Sequence, residues 1–191
     1  MSEEKVLVKI PVIPVKEVEV GVEGGNPKLT RFSATPITEV VESEYNGKRY
    51  LWPNGRDAYC ETERSGSRTQ GYTYTIRTNA PYLKISYSTG SWKNTYESFN
   101  GLYDVANDRW VFKIGKTEEV GKEEFDRVKA ELVSSPYTLS SSKPFSNTVA
   151  YYLLRKYAGE DAKIREARAL IARAVELVGL DGVKEILTEV M

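Results

Sequence analysis

Residues 73 to 94, TYTIRTNAPYLKISYSTGSWKN, interleave Tyr74, Tyr82, Tyr87 and Trp92 with Arg77, Lys84 and Lys93 and hold no acidic residue. A core explains rings and a wet surface explains bases. Their mixture suits a sheet that grips something flat and negatively charged. Single-stranded nucleic acid is such a target: cations hold its phosphates, and each base stacked on a ring contributes roughly 1–3 kcal/mol without demanding a particular sequence.

The overall formal charge is zero, but it is unevenly divided. Residues 1–45 hold 5 bases and 8 acids, whereas residues 46–116 hold 11 and 6. The same basic block contains 13 of the 21 aromatic residues, so charge and rings coincide. Within it, Arg49, Arg56, Arg64, Arg68, Arg77, Lys84 and Lys93 are the candidate phosphate contacts, and Trp52, Tyr82 and Trp92 the candidate stacking platforms.

Strand alternation sorts these side chains by face. In YTYTIRT, Tyr72, Tyr74 and Ile76 oppose Thr73, Thr75 and Arg77; in YLKISYS, Leu83, Ile85 and Tyr87 oppose Tyr82, Lys84 and Ser86. In RWVFKI, Trp110, Phe112 and Ile114 form an all-apolar face that reads as core, against Arg109 and Lys113 on the wet side. Tyr72 and Tyr74 fit either role. Trp52, before Pro53-Asn54-Gly55, and Trp92, beside Lys93, are either lids over the core or exposed cation–π and stacking partners. Arg64 and Arg68 fall in ERSGSRTQG, which reads as a Gly/Ser loop.

Enzymatic chemistry has little to work with. The chain has no histidine, which removes Ser-His-Asp and Cys-His catalysis and His-containing zinc sites. Cys60 is the sole cysteine, so an internal disulfide is excluded and a lone thiol remains. Glu61 with Glu63, and Asp104 with Asp108, are carboxylate pairs that a hard cation could use, yet carboxylates at strand ends and turns are ordinarily solvated. GKTEE at 115–119 lacks the upstream glycine of a phosphate-binding loop. RWVFKIGK shares the basic-aromatic character of an RRM strand without its glycine or its βαββαβ order. The expectation is a binding protein, not an enzyme, with no cofactor and no metal.

The elements that must position these residues switch character near residue 116. Before it, short runs of period two predict strands; after it, spacings of three and four predict helices. KVLVKI and VKEVEVGV read as strands, the second with Val18, Val20 and Val22 on one face. Residues 21–36 read as a loop from their Gly, Asn and Pro content. Asn46-Gly47 predicts a tight hairpin, and LYDVANDRWVFKI a second one. Phe125, Val128 and Leu132 predict a helix with acids in its first turns. Residues 134–144 read as a Ser/Pro-rich linker, followed by a helix with Ser146 or Asn147 as N-cap.

A further helix over about 160–178 carries Ile164, Ala167, Ile171, Ala174 and Val178 at a 3-4-3-4 spacing, widened by Leu170 and Leu177. After GLDG the pattern resumes at Val183, Leu187 and Val190. Such a stripe needs cover, either on the rest of the chain or on a second copy, and homodimerisation is the expectation. The fold class is therefore α+β: an antiparallel β-rich domain over 1–145 and a helical dimerisation region over 146–191. No apolar run reaches the roughly 18 residues of a membrane helix, and the acidic start MSEEK is unlike a secretory signal, which points to the cytoplasm. One glutamine, one cysteine and two methionines among abundant Val, Glu, Lys and Arg suggest a hyperthermophilic source.

This layout, a basic aromatic-rich N-terminal domain, a zipper-like C-terminal helix and a heat-adapted composition, resembles the ThermoDBP family, single-stranded DNA-binding proteins of the Thermoproteales. The resemblance rests on architecture and composition, with no signature motif. It implies a DNA-binding domain with an aromatic cleft flanked by bases, dimerised through C-terminal helices. Rival readings are a protein–protein adaptor or archaeal viral structural protein docking through the helical tail, an RNA-binding protein, and a metal-dependent nuclease.

Overall fold

The computed structural model describes residues 3–24, 28–90, 95–115 and 120–191. The chain divides into two compact units, Met1–Leu153 and Leu154–Met191. It is an α+β protein: ten antiparallel strands in three sheets come first and helices follow.

Strands β1 (Lys5–Lys9), β4 (Glu39–Tyr45) and β5 (Lys48–Asn54) form one sheet in the order β1-β4-β5. A second has the order β2-β7-β6, from β2 (Lys16–Glu23), β6 (Cys60–Ser67) and β7 (Gly71–Thr78). The third, β10-β9-β8-β3, is built from β3 (Lys28–Ile37), β8 (Tyr82–Gly90), β9 (Thr95–Asp104) and β10 (Arg109–Gly115). The tight turn between β4 and β5 is the expected one, with Asn46 at φ 50° and Gly47 at φ 73°. Asp104 pairs with Arg109 across the second hairpin.

Period-two patterning explains how the layers meet. Val18, Val20 and Ile76 of one sheet pack on Leu83, Ile85 and Phe99 of another, and all six are buried. Phe32 stacks on Tyr74 between the same sheets at 3.7 Å with nearly parallel rings. Each such side chain contributes about 1.5–3 kcal/mol by leaving water. The other face of the four-stranded sheet is partly roofed by helices. Phe125, Val128 and Leu132 of α1 (Lys122–Val133) are buried, as are Val149 and Leu153 near the start of α2 (Pro144–Val190). Phe112 takes edge contacts from Phe125, Phe145 and Tyr152 at 5.5, 6.3 and 5.5 Å.

Several expectations are corrected. Residues 28–37 are a strand, not a loop: Phe32 and Ala34 face the core while Arg31, Ser33 and Thr35 are exposed. Pro36 is tolerated because β3 is an edge strand, where a missing ladder donor costs little. Trp110 and Phe112 do not share a face. A bulge between them leaves Trp110 opposite Tyr103 and Phe112 opposite Leu102, so Phe112 meets the helices and Trp110 lies against Phe99 and Tyr103. Gly101 makes this possible, since a Cβ there would sit 2.5 Å from the Trp110 ring.

The Gly/Ser-rich ERSGS segment is strand β6, with the turn confined to residues 68–70. The presumed linker is packed: Thr138 N–H donates to Arg49 O at 2.6 Å, closing the outer edge of β5. Neither Ser146 nor Asn147 caps α2. Pro144, with its fixed φ and no N–H to leave unpaired, opens the helix instead, and Asn147 N–H already bonds Lys143 O. Nor are there separate helices over 145–159 and 160–178. Gly159 costs about 1 kcal/mol in a helix interior without breaking it, and α2 departs from helical geometry only at Gly179, with φ 74° and ψ 171°.

Within the second unit, Ile164, Leu170, Ile171, Leu177 and Val178 are each at least half exposed. Ala167 is exposed and Ala174 half-buried. None of the described helices is long and apolar enough to cross a membrane.

Candidate functional site

The helices leave part of the four-stranded sheet uncovered. There a cavity of about 840 Å³ is bounded by β3, β8 and β9 below, by β4 and β5 on one side, and by the first turn of α2 on the other. All of it lies within the first unit.

The floor follows from register. Arg31 pairs with Ser88 and Ser88 with Ser98; Ser33 pairs with Ser86 and Ser86 with Asn100; Thr35 pairs with Lys84 and Lys84 with Leu102. Because directly paired residues point the same way, these rows place hydroxyls, an amide and two cations on one face. Ser86 Oγ donates to Asn100 Oδ1 at 3.0 Å, which holds the middle row in place. The intervening residues turn the other way, and Tyr87 stacks on Phe99 at 4.6 Å in the core.

Trp52 and Lys143 form the walls. Trp52 is half-buried on β5, stacked on Tyr50 at 6.1 Å, with its indole N–H donating to Ser43 Oγ at 2.8 Å. That bond fixes the ring plane, and the side chain lines the groove. The Lys143 ammonium stands 5.4 Å from the ring centroid, within cation–π range. Opposite, Lys84 Nζ donates to Ser146 Oγ at 2.8 Å. Burial lowers the Lys84 ammonium below the ordinary lysine range, and the nearby charge of Lys143 lowers it further.

Three cations therefore share the groove, and among the described residues Arg31, Lys84 and Lys143 have no carboxylate within ion-pair distance. Among the described residues the one acid on its border, Glu4, is tied to Arg56 at 2.5 Å. Outside the groove, Lys16, Arg49, Arg56, Arg77, Arg109 and Arg127 are each ion-paired with an acid. The groove thus concentrates unneutralised positive charge beside a ring, an arrangement that favours an anion carrying a flat apolar group.

Of the residues singled out from sequence, the structure brings together Trp52 and Lys84. Tyr82 is 1% exposed, so it belongs to the core and offers no platform; the row it occupies lies under the covered part of the sheet. Arg49 is ion-paired with Glu42 and stands 5.0 Å over the Tyr137 ring, outside the groove. Arg56 pairs with Glu4 and lies 3.9 Å from Glu39. Arg64 covers Tyr72 at 4.6 Å, and Arg77 bridges Glu17 at 2.7 Å and Glu63 at 3.5 Å. These last two sit on the sheet that packs against the opposite face of the floor.

Arg68 is exposed in the turn after β6. Trp92 and Lys93 lie outside the described residues. Glu63 is engaged by Arg77, and buried Asp104 accepts from the Asn107 side chain at 2.9 Å. Among the described residues no group of three or more Cys, Asp or Glu side chains could hold a metal.

Sequence reasoning missed Arg31 and Lys143, because one lay in a supposed loop and the other in a supposed linker. The signal for Arg31 was present in RFSATP, whose apolar residues alternate with Arg31, Ser33 and Thr35. No protein-family model, curated protein or solved structure matches the chain.

Proposed function

We propose that this protein binds single-stranded DNA with little sequence preference, acts without catalytic turnover, and seats the strand in the groove between β3, β8, β9 and α2. The observation that carries the reading is the trio Arg31, Lys84 and Lys143, unpaired with acids and sharing one cavity with the Trp52 ring. The cations hold phosphates and Trp52 stacks on a base, a contact every base can make. The hydroxyls of Ser33, Ser86 and Ser88 each donate and accept, which tolerates different base edges. Such a role places the protein in the cytoplasm.

The exposed stripe from Ile164 to Val178 serves as the seam of a homodimer. Two grooves on one dimer would raise the effective affinity for a long strand when both are engaged.

Tryptophan fluorescence titrated with oligo-dT over a range of salt tests the reading. Saturable quenching that weakens with salt supports it. Three neutralised phosphates correspond to a slope of about −2 in log affinity against log salt. Absence of quenching at low salt rejects it. Competition with a matched RNA oligomer separates DNA from RNA preference, and gel assays with Mg²⁺ and Mn²⁺ would expose a nuclease.

A further inference from the structure

The floor of the groove is closed at its Lys84 end. Along the floor, the row holding Lys84 is followed by Ile37, Tyr82 and Asp104, which are 0, 1 and 1% exposed. Leu102, beside Lys84 in register, is 0% exposed. A strand lying on the floor can therefore run past Ser88 and Ser86 but cannot continue beyond Lys84. What sits at Lys84 is an end.

The chemistry at this closed end specifies what kind of end. Lys84 is half-buried, hydrogen-bonded to Ser146 Oγ, and the charge it feels is that of Lys143, a second cation. A phosphodiester brings a single negative charge and would leave the pair of lysines under-neutralised. A terminal phosphomonoester carries roughly −1.5 to −2 at neutral pH and presents three acceptor oxygens, enough for both ammonium groups and the Ser146 hydroxyl. Lys143 also stands over Trp52, so the first base inward from that phosphate meets the ring.

We infer that the Lys84–Lys143–Ser146 end of the groove is a subsite for the terminal phosphate of a single strand, making the protein a reader of phosphorylated strand ends. This rests on the groove being the seat of the strand.

The full-length protein is titrated with oligo-dT of one length in four forms: 5′-phosphorylated, 3′-phosphorylated, hydroxyl at both ends, and circular. One phosphorylated form is expected to bind about tenfold tighter than the hydroxyl form, and the circle weakest. Which phosphate gives the gain reports the polarity of the strand. Lys84→Gln should weaken all forms by the loss of one cation and bring the phosphorylated form down to the hydroxyl form measured on the same variant, and Lys143→Gln, at an exposed position, should diminish the gain even if the first variant folds poorly. Millimolar inorganic phosphate should erase the difference between forms. Equal affinity for all four forms overturns the subsite and leaves the groove reading intact. Binding to none of them overturns both.

Discussion

Lys84 of the central strand β8 and Ser146 of the first turn of α2 are joined by a 2.8 Å hydrogen bond, although 62 residues separate them in sequence. The bond ties the closed end of the groove to the four-stranded sheet and keeps one ammonium in the cavity lining. It is a polar clasp next to a wall otherwise built of Phe145, Phe125 and Phe112.

Substituting Trp52 by Ala should weaken oligo-dT binding by about 1–3 kcal/mol, the value of one stacked base. Far-ultraviolet circular dichroism should remain unchanged, since the ring is only half-buried. Unaltered affinity in a folded variant would remove Trp52 from the interface.

The cations of the groove should differ measurably from those outside it. Arg31→Ala and Lys143→Ala each remove one phosphate contact, so each should reduce the magnitude of the salt slope by about 0.7. Arg77→Ala, whose guanidinium is held by Glu17 and Glu63, should leave the slope unchanged.

Lys84 makes opposite predictions for binding and for stability. Its folded-state value is lowered by burial and by Lys143, so the unfolded chain holds the extra proton between that lowered value and the ordinary lysine value near 10.4. Global stability should therefore rise with pH through this alkaline window, because the unfolded state binds more protons there. Affinity for DNA should fall over the same window as the groove loses a charge. Denaturant melts and titrations at matched pH values check both signs, and Lys84→Met should flatten both profiles.

Gly101→Ala should destabilise the first unit by about 1–3 kcal/mol, as overpacking does, because the new methyl group meets the Trp110 ring at 2.5 Å. A chemical denaturation midpoint shifted to lower denaturant, with DNA affinity preserved, is the expected result.

Leu170→Glu together with Leu177→Glu should convert the protein to a monomer by light scattering. In the single chain both side chains are exposed, at 63% and 73%, so the change costs little intrinsic stability. A mass unchanged from that of the unaltered protein would refute the seam.

Much of the fold was legible because it is written in local periodicity. Val18, Val20 and Val22 alternate, Asn46-Gly47 supplies two positive φ angles, and Phe125, Val128 and Leu132 mark one helical face. What escaped depends on pairing that local pattern does not encode. The bulge that parts Trp110 from Phe112 is set by register against β9, and the burial of Tyr82 is set by what covers that end of the sheet.

The groove was legible only in halves. Lys84 and Trp52 stood out as a base and a ring in the basic block, but whether an arginine is spoken for depends on a partner far along the chain, as Arg77 and Glu17 show across 60 positions. Charge counting by segment therefore favoured Arg49, Arg56 and Arg77, which the fold pairs with acids. It passed over Arg31 and Lys143, which lie outside the block and which no acid neutralises among the described residues.

Val111, the extra residue that parts Trp110 from Phe112, marks the place where β10 can change length without turning a ring over. Deleting it would leave the indole opposite Tyr103 and the phenyl ring opposite Leu102, still on opposite faces, whereas a deletion between Phe112 and Ile114 would turn the residues beyond it toward the wrong layer. Indels should also survive in the hairpin tip at 105–108, whose residues 106–108 face solvent, and a deletion scan across 102–114 would trace those boundaries residue by residue.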